Sequence, residues 1–65
     1  MEAREVIRGV LQRFARKGEN KIYLTLYNGN FIVYQLHHGV IVKLDDFDND
    51  KIEATAAFER ARNEL

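Results

Sequence analysis

The 65-residue chain contains no cysteine, proline, tryptophan or serine. Without cysteine there is no disulfide framework and no thiolate chemistry. Without serine or cysteine, nucleophilic catalysis is left with Thr25, Thr55 and the lysines, and no base is marked beside any of them. Without proline there is no proline-rich linker, and nothing else in the chain reads as a linker or a low-complexity tract. Charge of one sign is lacking too: ten basic and ten acidic side chains cancel, whereas a nucleic-acid-binding domain ordinarily carries a basic surplus. No apolar run approaches the roughly 20 residues that span a bilayer. Glu2, Arg4, Glu5 and Arg8 stand where a signal peptide would have its apolar core, so a soluble cytoplasmic protein is expected. The four glycines, at 9, 18, 29 and 39, are too scattered for a phosphate-binding loop. These absences argue against an enzyme, a cofactor, a small-molecule substrate and a membrane partner.

What is present fills one domain. Ala3, Val6, Ile7, Val10, Leu11 and Phe14 follow the i, i+3, i+4, i+7 spacing of an amphipathic helix over residues 2–17. Gly18 would be its C-cap. Gly9 inside that helix would cost about 1 kcal/mol relative to alanine, unless another backbone passes close by. From Lys21 the period changes to two. Ile22, Leu24 and Leu26 alternate with Tyr23, Thr25 and Tyr27, and Asn28-Gly29 then gives a strong hairpin signal. That turn pairs Leu26 with Phe31, Leu24 with Val33 and Tyr23 with Tyr34. A second turn at His38-Gly39 leads to a third strand, Val40 to Leu44. One face of this sheet would carry Ile22, Leu24, Leu26, Phe31, Val33, Gln35, Val40, Val42 and Leu44. The other would carry Tyr23, Thr25, Ile32, Tyr34, Leu36, Ile41 and Lys43.

An acidic connection over residues 45–50 precedes a second helix, whose apolar stripe is Ala54, Ala57, Phe58, Ala61 and Leu65. Asp50 with Glu53, or Asp48 with a Phe47–Ile52 staple, would start it. The expected fold is therefore α+β. It is an α-β-β-β-α two-layer sandwich, a three-stranded antiparallel meander with two helices packed on one face.

Three groups of residues invite a functional reading. Asp46, Asp48 and Asp50 match the opening of a calcium loop, but Lys51 stands at the position of the required glycine and Ala57 at that of the bidentate glutamate. No metal is expected; Asp45, Asp46, Asp48 and Asp50 form an acidic corner suited to capping and to steering a basic partner. His37 and His38, as neighbours on a strand, would point to opposite sides and bind no shared metal. Tyr23, Thr25, Ile32, Tyr34, Leu36, Ile41 and Lys43 make a face with three aliphatics and two tyrosines, the kind of surface that anchors an interface.

The basic residues Arg4, Arg8, Arg13, Arg16 and Lys17 supply the alternative, a nucleic-acid face on the first helix. The α-β-β-β-α order resembles that of the double-stranded RNA-binding domain, which carries a basic cluster at the start of its last helix. Here Asp48, Asp50 and Glu53 stand there, opposed only by Lys51. The run from Leu44 through Phe47, Ala54, Ala57, Phe58 and Ala61 is faintly similar to the strand–helix half of plant AP2-type and integrase arm-type DNA-binding domains, without their base-contacting Arg and Trp. The expected function is a non-enzymatic protein-binding module. It would be a regulatory or inhibitory accessory protein, similar in size and character to phage or prokaryotic inhibitors such as anti-CRISPR proteins. It would act sterically on another protein or on itself as a homodimer. Nucleic acid is the alternative partner.

Overall fold

The computed structural model describes residues 7–65. It holds four strands and one helix: β1 (Val10–Lys17), β2 (Asn20–Tyr27), β3 (Asn30–His37), β4 (Val40–Asp46) and α1 (Lys51–Asn63). The strands form one antiparallel meander in the order β1-β2-β3-β4. The expected three-stranded meander with two helices is thereby corrected. Residues 10–17 are a strand, and Gly18 opens a hairpin where a helix C-cap was expected. The part of the expected first helix over residues 2–6, with Arg4, lies outside the described residues. Among the described residues no helix is long and apolar enough to cross a membrane.

Three successive two-residue turns join the strands. Lys17 pairs with Asn20, Tyr27 with Asn30 and His37 with Val40. Asn28 and Gly29 have φ of 52° and 81°, and His38 and Gly39 have 53° and 78°. Two consecutive positive values define the turn whose twist matches that of the flanking strands. The β2–β3 register is the one the Asn28-Gly29 turn dictates, with Leu26 opposite Phe31 and Leu24 opposite Val33.

Each outer strand has a bulge. The β1–β2 register slips between Leu11 and Arg13, leaving Gln12 unpaired. The β3–β4 register slips between Gln35 and Leu36, leaving Val42 unpaired. A bulge sets two residues against one and so breaks the alternation of faces. Leu11 and Phe14, three apart, consequently share a face, opposite Thr25 and Tyr23. Three-residue spacing is also the helical signature, which is why residues 10–17 read as a helix. The second bulge turns Lys43 and Asp45 to the face of Gln35 and Val33, and Leu44 to the face of Tyr34. Leu44 and Lys43 thus exchange the faces that strict alternation assigns them, and Val42 and Leu44 are exposed.

The helix lies across the two inner strands. Ala54, Phe58 and Ala61 pack with Ile22, Leu24 and Val33, with Ala15, Phe31, Phe47, Ala57 and Leu65 around them. Three alanines in this stripe let the helix approach the sheet closely, and Phe58 supplies the bulk. Asp50 caps the helix, accepting the Glu53 amide hydrogen at 3.0 Å, so its first turn is satisfied by a side chain. The connection is tied to β3 by the Phe31 amide donating to the Asp48 carbonyl (2.6 Å) and the Phe47 amide donating to the Phe31 carbonyl (2.9 Å).

Gly9, at the entry to β1, has φ +96°, and a Cβ there would lie 2.5 Å from the Leu26 carbonyl oxygen. Both the backbone conformation and the contact with β2 exclude a side chain. Gly9→Ala should destabilise the fold by about 2 kcal/mol, read as a lower denaturation midpoint with an unchanged denaturant slope.

Candidate functional surface

The sheet face opposite the helix is the natural place to look for function, because no described secondary-structure element packs over it. Its centre is nevertheless closed. Ile32, Tyr34 and Leu36 are buried, and Ile7, Tyr23, Tyr27 and Ile41 pack against them. The chain ahead of β1 crosses this face: the Arg8 amide donates to the Tyr34 hydroxyl (3.4 Å), and the Arg8 guanidinium donates to the Tyr27 hydroxyl (3.3 Å). The same guanidinium stacks 5.9 Å from the Tyr27 ring centroid. Of the seven residues expected to form a contact surface, Thr25, Ile32, Tyr34 and Leu36 are buried, and Tyr23 and Ile41 are half-buried. Lys43 is exposed on the other side of the sheet.

What remains open on this face lies at its margins. On β1, Leu11 and Phe14 are about half exposed, at 53% and 48%. Phe14 meets Tyr23 with ring centroids 5.0 Å apart. The register places Arg16 and Lys21 beside this pair on the same face. Leu44 and Val42 are open on β4. Sequence reasoning missed Leu11 and Phe14 as surface residues. The evenly stepped turns at Gly18, Gly29 and Gly39 were the available signal, since regular turn spacing marks consecutive strands.

The expected basic face is divided by the sheet. Arg13 and Lys17 point to the helix side: Arg13 lies 3.7 Å from Glu59, and the Lys17 ammonium donates to the Leu65 carbonyl at 3.3 Å. Glu59 is also held by Arg62 at 2.7 Å. Arg16 faces the opposite way, Arg8 sits over Tyr27, and Arg4 lies outside the described residues. A nucleic-acid face on a first helix is therefore replaced by a shorter basic edge, Arg8, Arg16 and Lys21, around the exposed Phe14 and the half-buried Tyr23 and Tyr27.

The acidic corner has structural work to do. Asp46 accepts the Asp48 amide hydrogen (2.8 Å) and one from the Asn30 side chain (3.4 Å). Asp48 adopts φ 55° in the connection, Asp50 caps α1, and Asp45 lies 3.8 Å from Lys43. Among the described residues no three His, Asp or Glu side chains converge to hold a metal ion. The two histidines are closer than strand alternation implies, because His38 sits in the turn with positive φ. Their ring centroids are 4.1 Å apart. His37 Nδ1 lies 2.7 Å from Asn20 Oδ1, a bond that requires the proton on Nδ1, and His38 lies 3.6 Å from Glu19.

Two concavities flank the helix. One, of about 280 Å³, runs between β4 and α1 over Val33, with Lys43, Asp45, Arg60 and Glu64 at its rim. The other is a shallow apolar hollow beside Ile52 and Arg13. Comparison of the chain with protein families, curated proteins and solved structures finds no match. The α+β class and the antiparallel sheet hold. A regulatory or inhibitory role finds no support in these comparisons.

Thr25 is 1% exposed, and among the described residues its hydroxyl has no hydrogen-bond partner. A buried unpaired hydroxyl costs about 1–3 kcal/mol. Thr25→Val should accordingly stabilise the domain by about 1 kcal/mol in chemical denaturation.

Proposed function

We propose that this domain is a non-enzymatic binding module that engages another protein through the β1 margin of the face opposite the helix. The observation that carries the reading is the exposed Phe14, packed on the half-buried Tyr23 with Leu11 on the same face, and edged by Arg8, Arg16 and Lys21. Exposed aromatics with a cationic rim match the composition of interface hot spots. β1 has three basic residues and no acidic one. The complementary partner is thus a protein surface with an apolar patch edged by carboxylates. Thr25, Ile32, Tyr34 and Leu36 serve this role as the rigid floor that holds the strands in register.

The same strip supports a second reading, because aromatics interleaved with basic side chains also suit single-stranded nucleic acid. Salt separates the two. Phosphate contacts release counterions, so affinity for nucleic acid falls by orders of magnitude between 50 and 200 mM salt when several phosphates are held. Contact through Leu11 and Phe14 is carried largely by apolar burial and survives that change.

Phe14→Asp should abolish capture of the partner protein, leaving the far-UV spectrum and denaturation midpoint nearly unchanged. Arg16→Ala should weaken capture severalfold. A partner retained in full by Phe14→Asp excludes this surface, and a steep salt dependence with loss on Arg16→Ala selects nucleic acid.

A further inference from the structure

The free edge of β4 has a property that β1 lacks: its charge pattern is complementary to itself. Around Leu44 the strand reads Lys43-Leu44-Asp45. Lys43 and Asp45 share the helix side of the sheet, 3.8 Å apart, and Leu44 points to the other side. Among the described residues no strand lies beyond β4, and Val42, Lys43 and Leu44 are exposed.

We propose that β4 pairs antiparallel with β4 of a second copy of this chain, about a two-fold axis at Leu44. A two-fold axis perpendicular to the sheet makes the contact isologous and keeps both helices on the same side. In this register Lys43 faces Asp45 of the other copy, and Asp45 faces its Lys43. Directly opposed side chains on an antiparallel pair have Cβ atoms about 4.5–5.5 Å apart. The two pairs combine with the one Lys43–Asp45 contact within each strand into a ring of alternating charge. On the other side Leu44 meets Leu44 and both lose exposure to water. The meander becomes an eight-stranded sheet without an open β4 edge.

Sterics allow it. The helix rests mainly on β2 and β3, so in the pair the helix axes are separated by about four strand spacings, roughly 19 Å. Packed helices approach to 8–10 Å, and these two do not collide. The bulge at Val42 ends the regular stretch, so the pairing is confined to about residues 42–46. So short a seam is a small interface, and the dimer is a weak one. β1 is the contrasting edge. Self-pairing there would line up Arg13, Arg16 and Lys17 from each copy with no carboxylate among them, and charged edges of this kind block pairing.

Two experiments test the proposal. In sedimentation equilibrium over a concentration series, the natural chain should show a monomer–dimer equilibrium. Lys43→Asp and Asp45→Lys should each weaken it at least about tenfold, and the double swap should restore it, because the swapped strand is again self-complementary. A chain that stays monomeric at about 1 mM, single reversals that leave the dimer intact, or a folded double swap that does not restore it, overturns the pairing. The second experiment does not depend on charge. The chain has no cysteine, so Leu44→Cys introduces a unique thiol at the axis, within disulfide reach of its counterpart. It should oxidise to a covalent dimer at least about tenfold faster than Ile52→Cys, whose site is 83% exposed on the helix. Equal rates overturn the proposal. Phe14→Asp lies at the opposite edge and leaves the dimer intact, so loss of the β1 partner and loss of the β4 pair are separately visible.

Discussion

Each outer strand has one residue more than its neighbour can pair, and that extra residue sets the facing of everything beyond it. Gln12 on β1 and Val42 on β4 are the two insertions. Because strand side chains alternate with a period of two, a single unpaired residue exchanges inside and outside for the rest of the strand. Beyond Gln12 it places Arg13 and Lys17 on the helix side, where they tie β1 to Glu59 and to the end of α1. It also leaves Leu11 and Phe14 together on the opposite side. Beyond Val42 it brings Lys43 and Asp45 to the helix side and Leu44 away from it. Bulges additionally blunt an edge by twisting it, which limits how much of β1 or β4 another strand can reach.

The interior follows from the two middle strands, which run between the bulged ones without interruption. β2 and β3 supply Ile22, Leu24 and Val33 to the layer under the helix, and Thr25, Ile32, Tyr34 and Leu36 to the layer behind. One short helix covers the first layer, and its alanines bring it close enough for Phe58 to fill the gap. The second layer is closed at its centre by Ile7, Arg8 and the tyrosines. The exposed apolar side chains of this face, Leu11, Phe14 and Leu44, therefore lie at the two sheet margins. The margins differ in charge: β1 is basic throughout, whereas β4 pairs base with acid. That difference is the basis for proposing a foreign acidic–apolar partner at one and a second copy at the other.

The legible parts of the chain were those where local chemistry and tertiary demand agree. Asn28-Gly29 determined its hairpin and the β2–β3 register. Asp50 with Glu53 marked the start of α1, and the Ala54, Ala57, Phe58, Ala61 stripe marked its buried side. The segment Val10–Lys17 was not legible, because a bulged strand spaces Leu11 and Phe14 three apart, as a helix does. Gly9 read either as a defect inside a helix or as a point of close backbone approach; the helix is absent there, and the close approach is the one to Leu26. The surface expectation failed in part for the same reason. Strict alternation along β4 misplaces Lys43 and Leu44, and the crossing of Ile7 and Arg8 over Tyr34 has no sequence signature. The His38-Gly39 turn was legible, but its effect on the side chains was not: strand alternation separates His37 from His38, whereas the turn folds one imidazole against the other.

The assignment of residues 10–17 to a bulged strand decides the β1 margin and the contact proposed there, and the register slip at Val42 decides those of β4. Solution NMR tests it most directly. The account predicts extended-backbone chemical shifts over Val10–Lys17 and cross-strand nuclear Overhauser contacts from the Phe14 ring to Tyr23. It also predicts contacts from Leu44 to Tyr34, and none from Lys43 to Tyr34. Helical shifts with i to i+3 contacts running through residues 10–17 would contradict it.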